Sequence, residues 1–283
     1  MSVPDALLMG AVAYDPKVVT IWEGFRRRLN ATGVPFDYLL YSTYERQVED
    51  LVAERIHAAW NSPLAWIRAE RLAAAAGRTV TAELMRDTDR DLTSVVLVRA
   101  DSPARTPADL AGATVAVGAV DSPQATLIPL AHLAEAGVEV KVRRFDVGVG
   151  LHGDHIGGER DAARALAAGE ADAACVIDAN QLLFTREGTL PPGSVRVLAQ
   201  TERYDHCNMT VVDTAPRSLV DPFIAALRAM SYADAAVRPL LDLEGLTSWE
   251  PGRTDRYAAL ARAVDRFGFY GADGTVTAAE YRP

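Results

Sequence analysis

Short apolar runs alternate with amphipathic segments over the first 76 residues, and this alternation restricts the fold more than any other feature of the sequence. Three apolar runs have the length of buried strands (6–13, 36–41 and 56–60). Each is followed by a segment with apolar residues at helical spacing (17–30, 44–55 and 61–76). Strands joined through helices run parallel and are covered by helices on both faces. The sequence therefore predicts an α/β fold.

A second group of alternating segments follows residue 92. Its strand candidates are apolar or β-branched (93–100, the start of 114–140, 138–145, 171–179, 195–201 and 209–213). Further helices are predicted at 161–168, 222–233 and 255–267. We therefore expect two lobes, with hinges where the chain crosses between them. The expected division assigns 1–95 plus 206–283 to lobe 1, 96–205 to lobe 2, and the hinges to 93–100 and 200–210.

Composition excludes several classes of partner. Acidic residues outnumber basic ones by 38 to 29, and the formal net charge is −9. No basic stripe is available to neutralise phosphates, so no nucleic acid partner is expected. No segment has the roughly 20 apolar residues of a membrane span, so no membrane insertion is expected either. With only two cysteines, the chain has no disulfide framework.

The first residues of the chain lack the basic region of a signal peptide. On this ground we expect the chain as given to be cytoplasmic. A periplasmic or other extracytoplasmic location would require that a leader had been removed. The sequence leaves the oligomeric state open.

The stretch at 114–140 predicts a strand, a polar turn at 121–125 and a helix that ends near Gly137. The start of a helix exposes unpaired backbone N–H groups and a partial positive charge, which favours anion binding. The alternative is an ordinary helix start, capped by Ser122 or Asp121 with Pro123 in the first turn. Both interpretations remain open at this point.

Three stretches together resemble a known family. They are FDYLLYSTYERQVEDLVAERIHAAWNSPLAWIRA, SVVLVRADSPARTPADLAGATVAVGAVDSPQATLIP and RDAARALAAGEADAACVIDAN. They resemble the type II periplasmic-binding-protein fold, and most closely the phosphonate-binding (PhnD-like) solute-binding proteins. The resemblance covers almost the whole chain. It implies an α/β, two-lobed fold in which each lobe is a mostly parallel sheet flanked by helices, with a ligand cleft between the lobes.

The resemblance also implies which residues contact a ligand. In open α/β sheets, ligands lie beyond the carboxyl ends of the strands. The expected contacts are Tyr14, Tyr44, Asn61, Ser62, Thr93, Ser94, Ser122, Gln124, Ala125, Arg160, Asp178 and Asp205. The expected ligand is a small anion.

The ligand loop departs from the pattern of the family, which usually has Ser-Thr-Ser-Gly. Here the matching residues are Ser122, Pro123, Gln124 and Ala125. Pro123 removes an N–H donor, and Gln124 offers an amide instead of a hydroxyl. A planar carboxylate or an amide-bearing ligand is therefore an alternative to a phosphonate.

A Gly-rich stretch at 151–160 can be aligned with the family's Gly-Ser-His-Asp motif in two ways. Either Gly153, Asp154 and His155 supply it, or Gly158-Glu159-Arg160-Asp161 supplies it with Arg160 in place of the histidine. We prefer the second alignment, since arginine can pair with a carboxylate through two hydrogen bonds. His152 and His155 would then lie on a loop at the mouth of the cleft.

Reactive side chains are concentrated in 151–160 and at 205–208. His152, His155, His206 and Cys207 are of ligand types that suit zinc. In an enzyme, the acid–base or nucleophilic residues would come from a second set: His206, Cys207, Asp205, His155 and Glu159. His206 and Cys207 are adjacent, so on an extended segment they would point to opposite faces and not pair.

Two functions follow from these observations. The first is a PhnD-like binding protein that closes its lobes on a phosphonate, a phosphate-like anion or a carboxylate. The alternative is a cytoplasmic enzyme on the same fold, of the lyase or decarboxylase type or metal-dependent. No cofactor is expected for the binding protein, and zinc is the one metal that the side chains suggest.

Overall fold

The fold is given by a computed structural model that describes residues 6–146, 148–149, 152–153 and 155–281. The strands are β1 (Leu7–Val12), β2 (Phe36–Tyr41), β3 (Ala58–Asn61), β4 (Val80–Arg86), β5 (Ser94–Arg99), β6 (Thr114–Val117), β7 (Lys141–Arg144), β8 (Gly148–Val149), β9 (His152–Gly153), β10 (Ala173–Ile177), β11 (Val195–Gln200), β12 (Asn208–Val212) and β13 (Trp249–Pro251). The helices are α1 (Lys17–Ala31), α2 (Tyr44–Val52), α3 (Pro63–Ala75), α4 (Ile128–Glu135), α5 (His155–Ala167), α6 (Asp178–Arg186), α7 (Arg217–Arg228), α8 (Arg238–Glu244) and α9 (Ala258–Phe267).

The strands form two large sheets, as the alternation of elements predicts. The first has the order β13-β4-β12-β3-β1-β2 and the second the order β11-β5-β10-β6-β7, while β8 and β9 form a small hairpin. Helices cover the sheets, so the predicted α/β, two-lobed fold is confirmed. Both sheets are mixed, because β12 runs antiparallel to β3 and β4, and β5 runs antiparallel to β10 and β11. These are the strands by which the chain enters each sheet from the other one.

The two sheets present facing edges. In the first sheet, the carboxyl ends of β1 to β4 and the start of β12 share an edge. In the second, the ends of β6, β10 and β11 share an edge with the start of β5. The chain crosses between these edges at 87–93 and 201–207, and Leu92 pairs with Tyr204 where the crossings meet. Residues 94–99, predicted as part of a hinge, belong to β5 of the second sheet.

Several elements differ from the prediction. Strand β4 and helices α6 and α8 were not predicted, since their sequences lack a clean apolar period. Helix α5 begins at His155, six positions before the predicted start at Asp161. Helix α7 begins at Arg217 and contains Pro222, which the sequence suggested as its first residue. Buried Val220, Phe223 and Leu227 hold α7 on the first sheet despite the proline.

One apolar core joins the lobes along one side. It contains Trp66 of α3, Leu127 and Ile128 from the start of α4, and Leu260 and Val264 of α9. The chain after β13 thus packs against both lobes. Among the described residues, no helix has the length and hydropathy needed to cross a membrane.

Candidate functional site

The loop at 121–127 lies at the cleft edge of the second sheet, after β6. The Ser122 hydroxyl accepts the N–H of Ala125 at 3.2 Å, so Ser122 caps the helical turn at 123–127 that leads into α4. The main-chain oxygen of Gln124 accepts the hydroxyl of Ser94 at 2.5 Å, and that hydroxyl lies 2.9 Å from the Tyr204 hydroxyl. The loop is therefore tied to β5 and to the second crossing.

Two buried polar atoms of this loop have no hydrogen-bond partner among the described residues. They are Oε1 of Gln124 and Oγ1 of Thr126, in residues that are 6% and 2% exposed. Buried polar atoms are nearly always paired in folded proteins, either with protein or with a bound molecule. Both atoms belong to the helical turn 123–127. Thr126 was not among the predicted ligand contacts.

Glu159 is fully buried behind the loop. Its carboxylate accepts hydrogen bonds from Nε2 of Gln124 at 3.1 Å, from the N–H of Ile177 at 2.9 Å and from Nδ2 of Asn180 at 3.0 Å. Burial raises the pKa of Glu159 despite these donors. The carboxylate joins the ligand loop to the end of β10 and the start of α6, which is a structural arrangement.

His155, rather than Arg160, lies against the loop. Its Nε2 is 3.1 Å from Oδ1 of Asp121, whereas Nε of Arg160 donates to Glu187 at 2.7 Å, and its guanidinium lies 5.3 Å from the ring centre of Phe184. The preferred alignment expected Arg160 at the loop, whereas these contacts place its guanidinium at Glu187 and Phe184. Because α5 begins at His155, residues 155 and 159 share the face that meets the loop, and residue 160 points to the next face.

Asp205 is committed to an ion pair at the second crossing. Its two oxygens accept Nε and Nη2 of Arg253 at 2.6 and 2.7 Å, and Oδ1 also accepts the N–H of Asp91 at 2.9 Å. Its side chain is 0% exposed. At the same edge, the hydroxyl of Thr93 donates to Asp178 at 2.7 Å. These contacts fix how the two crossings lie against each other.

The facing edge of the first sheet carries hydroxyl, amide and guanidinium groups. Asn61 accepts Nε2 of Gln47 at 2.8 Å and donates to Thr210 at 2.8 Å, and the Ser62 hydroxyl caps α3 by accepting the N–H of Ala65 at 3.2 Å. Tyr44 is buried, and burial is the main cause that raises the pKa of its phenol, whereas Tyr14 is exposed. Ser94 and Ala125 are buried on the other edge.

Arg86, at the end of β4, is a half-buried cation at this edge that the sequence analysis missed. It donates through Nε and Nη2 to both oxygens of Asp89, at 2.6 and 2.8 Å, and through Nη1 to the main-chain oxygen of Glu244 at 2.8 Å. Its guanidinium lies 5.4 Å from the ring centre of Trp60. Burial disfavours ionised Asp89, but the charge of Arg86 and its hydrogen bonds hold the pKa of that carboxyl well below its usual range.

The pKa of the neighbouring Glu244 carboxyl is raised, whereas that of Asp89 is lowered. The raised pKa makes the stability of the fold depend on pH. Burial raises the pKa of Glu244 above its ordinary value, to about 7. The folded chain therefore holds this proton more tightly than the unfolded chain does. The resulting stabilisation is complete below about pH 4.5 and is lost as pH rises through about 7, with a magnitude on the order of 3 kcal/mol. We expect Glu244→Gln to flatten the curve of unfolding free energy against pH over that interval, as measured by urea denaturation. A curve parallel to that of the wild type would contradict this assignment.

His206 and Cys207 contact each other, contrary to the expectation that they face opposite sides. Nδ1 of His206 lies 3.1 Å from Sγ of Cys207 and 3.5 Å from Oδ1 of Asp89. The reason is that 205–207 is not a regular strand: the N–H of His206 donates to the main-chain oxygen of Asp89 at 2.8 Å, which turns the segment toward the first crossing. His155 lies elsewhere, against Asp121, while the side chain of His152 and all of Asp154 lie outside the described residues.

Comparisons with known proteins agree with the two-lobed α/β fold. The profile of the family described as "ABC transporter, phosphonate, periplasmic substrate-binding protein" matches residues 10–257. PhnD1 from Prochlorococcus marinus (MIT 9301), solved in complex with methylphosphonate, has a TM-score of 0.68 and 14% identity, with 94% of this chain and 99% of that chain covered. The XAC2383 protein from Xanthomonas citri, solved with ATP, has a TM-score of 0.69 and 16% identity, covering 93% and 98%.

A third structure is more distant. The periplasmic aliphatic sulphonate binding protein SsuA from Escherichia coli has a TM-score of 0.54 and 18% identity, covering 94% of this chain and 87% of that chain. A search of curated proteins finds no match. At these identities the solved structures establish the fold, and the family profile establishes the kinship.

Proposed function

The chain belongs to the family of periplasmic substrate-binding proteins of phosphonate ABC transporters, and we propose that it binds one small oxyanion between its two lobes. Proteins of this family are periplasmic, and they work with the membrane components of an ABC transporter. We extend that location and that partner to this chain, in place of the cytoplasmic location expected from the sequence. The family and the structures reported above are binding proteins, so the alternative of an enzyme on this fold receives no support from them.

One observation supports the proposed position of the ligand. Oγ1 of Thr126 is buried without a partner among the described residues, in the helical turn 123–127. The Thr126 hydroxyl and the N-terminal end of this helix are suited to an anion. Tyr14 and Tyr44 on the facing edge are the contacts that we propose from the first lobe.

The charges around the cleft support a singly charged ligand. Arg86 is paired with Asp89, and Arg253 is paired with Asp205, so neither guanidinium is free of carboxylates. Asp121 and Asp178 also lie at the cleft edge of the second sheet. A ligand held there by neutral donors beside carboxylates is repelled more strongly with each further negative charge. We therefore propose a carboxylate, a sulfonate or a singly charged phosphonate.

Replacing Thr126 tests the proposed position. Thr126→Val keeps the shape of the side chain and removes the hydroxyl, which has no partner among the residues that the structure describes. We expect affinity for the bound anion to fall about 10- to 100-fold, since a hydrogen bond to a charged group contributes about 1.5–3 kcal/mol. Thermal stability without ligand should be unchanged or slightly higher. The measurement is the shift in melting temperature caused by methanesulfonate, acetate and methylphosphonate.

Ser194→Ala is the matched control. Its hydroxyl is also buried without a partner among the described residues, but it lies just before β11, at the end of the second sheet away from the cleft. We expect this variant to respond to anions as the wild type does. Equal ligand-induced shifts in Thr126→Val and the wild type would contradict the proposed position.

A further inference from the structure

A second cluster lies at the cleft edge of the first lobe, where the two crossings meet. Asp89 ends the short turn after β4, and His206 and Cys207 lie immediately before β12. Each of the three residues offers one ligand atom, and these atoms all lie within 4.8 Å of one another. Asp89 and Cys207 are buried, and the side chain of His206 is 20% exposed, so the cluster remains accessible from solvent.

Neighbouring groups hold these three residues in place. Both backbone polar groups of His206 are used: its N–H donates to the main-chain oxygen of Asp89, and its oxygen accepts the Tyr257 hydroxyl, each at 2.8 Å. Arg86 orients the carboxylate of Asp89 through two hydrogen bonds. Fixed outer contacts of this kind orient metal ligands and raise metal affinity. The donors are thus largely positioned before any ion binds.

We propose that Asp89, His206 and Cys207 form a binding site for a transition-metal ion, with Zn²⁺ as the best fit. One imidazole nitrogen, one thiolate sulfur and one carboxylate oxygen make a donor set that suits zinc, whereas Mg²⁺ and Ca²⁺ prefer oxygen alone. Three protein donors leave the fourth position of a tetrahedral ion open to water or to a molecule in the cleft. This differs from the zinc ligands suggested by the sequence, since Asp89 takes the place of the two histidines of 151–160.

The formal charges around the cluster suit a divalent cation. With the thiolate as ligand, Cys207 and Asp89 carry two negative charges, and Arg86 carries one positive charge. A divalent ion would compensate the remaining negative charge, and buried charges are stable only when they are compensated. Asp89 can serve both Arg86 and the ion, because its two oxygens offer about four acceptor positions.

Metal binding would also link the two crossings. Asp89 belongs to the first crossing, and His206 and Cys207 belong to the second. An ion held by all three would restrict the relative motion of the lobes. The proposal does not depend on which anion the cleft binds, and its test uses no anion.

The experiment measures metal binding by the full chain. After treatment with chelator and dialysis, the wild type is titrated with Zn²⁺ in a competition assay with a chromogenic chelator, and Co²⁺ is then used as a spectroscopic probe. We expect one ion per chain and an intense thiolate-to-Co²⁺ charge-transfer band. Cys207→Ser should abolish that band, and both Cys207→Ser and His206→Asn should weaken Zn²⁺ binding at least 10-fold.

His132→Asn is the control, because His132 lies on α4 outside the cluster, and it should bind Zn²⁺ as the wild type does. Circular dichroism of each apo variant verifies folding, and His206→Asn decides the question if Cys207→Ser does not fold. Failure of the wild type to bind Zn²⁺ at micromolar concentration would overturn the proposal. So would an unchanged Co²⁺ band in Cys207→Ser, or an equal loss of binding in His132→Asn.

Discussion

Replacing Asp205 by alanine is expected to lower the free energy of unfolding by about 3–5 kcal/mol. The side chain of Asp205 is 0% exposed and pairs with both Nε and Nη2 of Arg253. Removing it leaves the guanidinium without its main partner and the N–H of Asp91 without an acceptor. The loss comes mainly from the three hydrogen bonds that Asp205 accepts, because the side chain of Arg253 is 24% exposed and keeps Asp91 as a partner at 3.0 Å. Chemical denaturation monitored by tryptophan fluorescence measures the change.

Asp101→Ala is the matched control for this prediction. Asp101 also accepts a hydrogen bond from an arginine, Nε of Arg99 at 3.3 Å, but its side chain is 81% exposed. Exposed ion pairs contribute at most about 1 kcal/mol, so this variant should unfold almost as the wild type does. If Asp205→Ala lowers the free energy of unfolding no more than Asp101→Ala does, the ion pair between Asp205 and Arg253 does not stabilise the crossing.

Glu159→Ala is expected to lower the free energy of unfolding by about 3 kcal/mol or more, and the second lobe is the part that it destabilises. The change leaves three buried donors without an acceptor: Nε2 of Gln124, the N–H of Ile177 and Nδ2 of Asn180. It also opens a cavity beneath the ligand loop. Hydrogen exchange should show the loss of protection in 122–127 and at the end of β10.

Glu159→Gln distinguishes the hydrogen bonds from the charge. Glutamine can still accept from Ile177 and Asn180 through one oxygen. Its new NH₂ group can donate to Gln124 if that amide rotates, which the unpaired Oε1 of Gln124 permits. We therefore expect this variant to lose about 1 kcal/mol or less. A loss as large as that of Glu159→Ala would mean that the negative charge itself is required.

Much of the fold could be predicted from the sequence because buried apolar residues recur along the chain at the spacing of a strand or a helix. Strand β1, helix α1 and strand β2 lie where the apolar pattern places them. Strand β4 escaped prediction because its sequence, VTAELMR, has good helix formers and only two buried residues. Its position between β12 and β13 depends on strands more than 120 residues later in the chain, which no local pattern records.

The candidate site was less predictable, because it depends on which way side chains face. Whether His155 or Arg160 faces the ligand loop depends on which residue begins α5. The sequence gives little indication of where a helix begins when glycines precede it. The contact between His206 and Cys207 depends on Asp89, which lies 117 positions before His206 in the chain. Thr126 was overlooked because it stands among apolar residues, where a threonine usually indicates packing.

The structure of the ligand loop has the helix cap that the ordinary interpretation requires, with Ser122 as the capping residue. Anion binding at the same turn is our proposal, and the unpaired hydroxyl of Thr126 supports it. The anion that we propose would thus contact side chains of the first helical turn, since Pro123 has no N–H and Ser122 accepts the N–H of Ala125.

The most direct test of the proposed function is isothermal titration calorimetry of the wild type with acetate, methanesulfonate, methylphosphonate, sulfate and phosphate at constant ionic strength. We expect at least one of the singly charged anions to bind saturably, with one site per chain, and to bind more tightly than the doubly charged anions. The absence of saturable binding for every one of these anions would contradict the proposal that the cleft binds a small oxyanion.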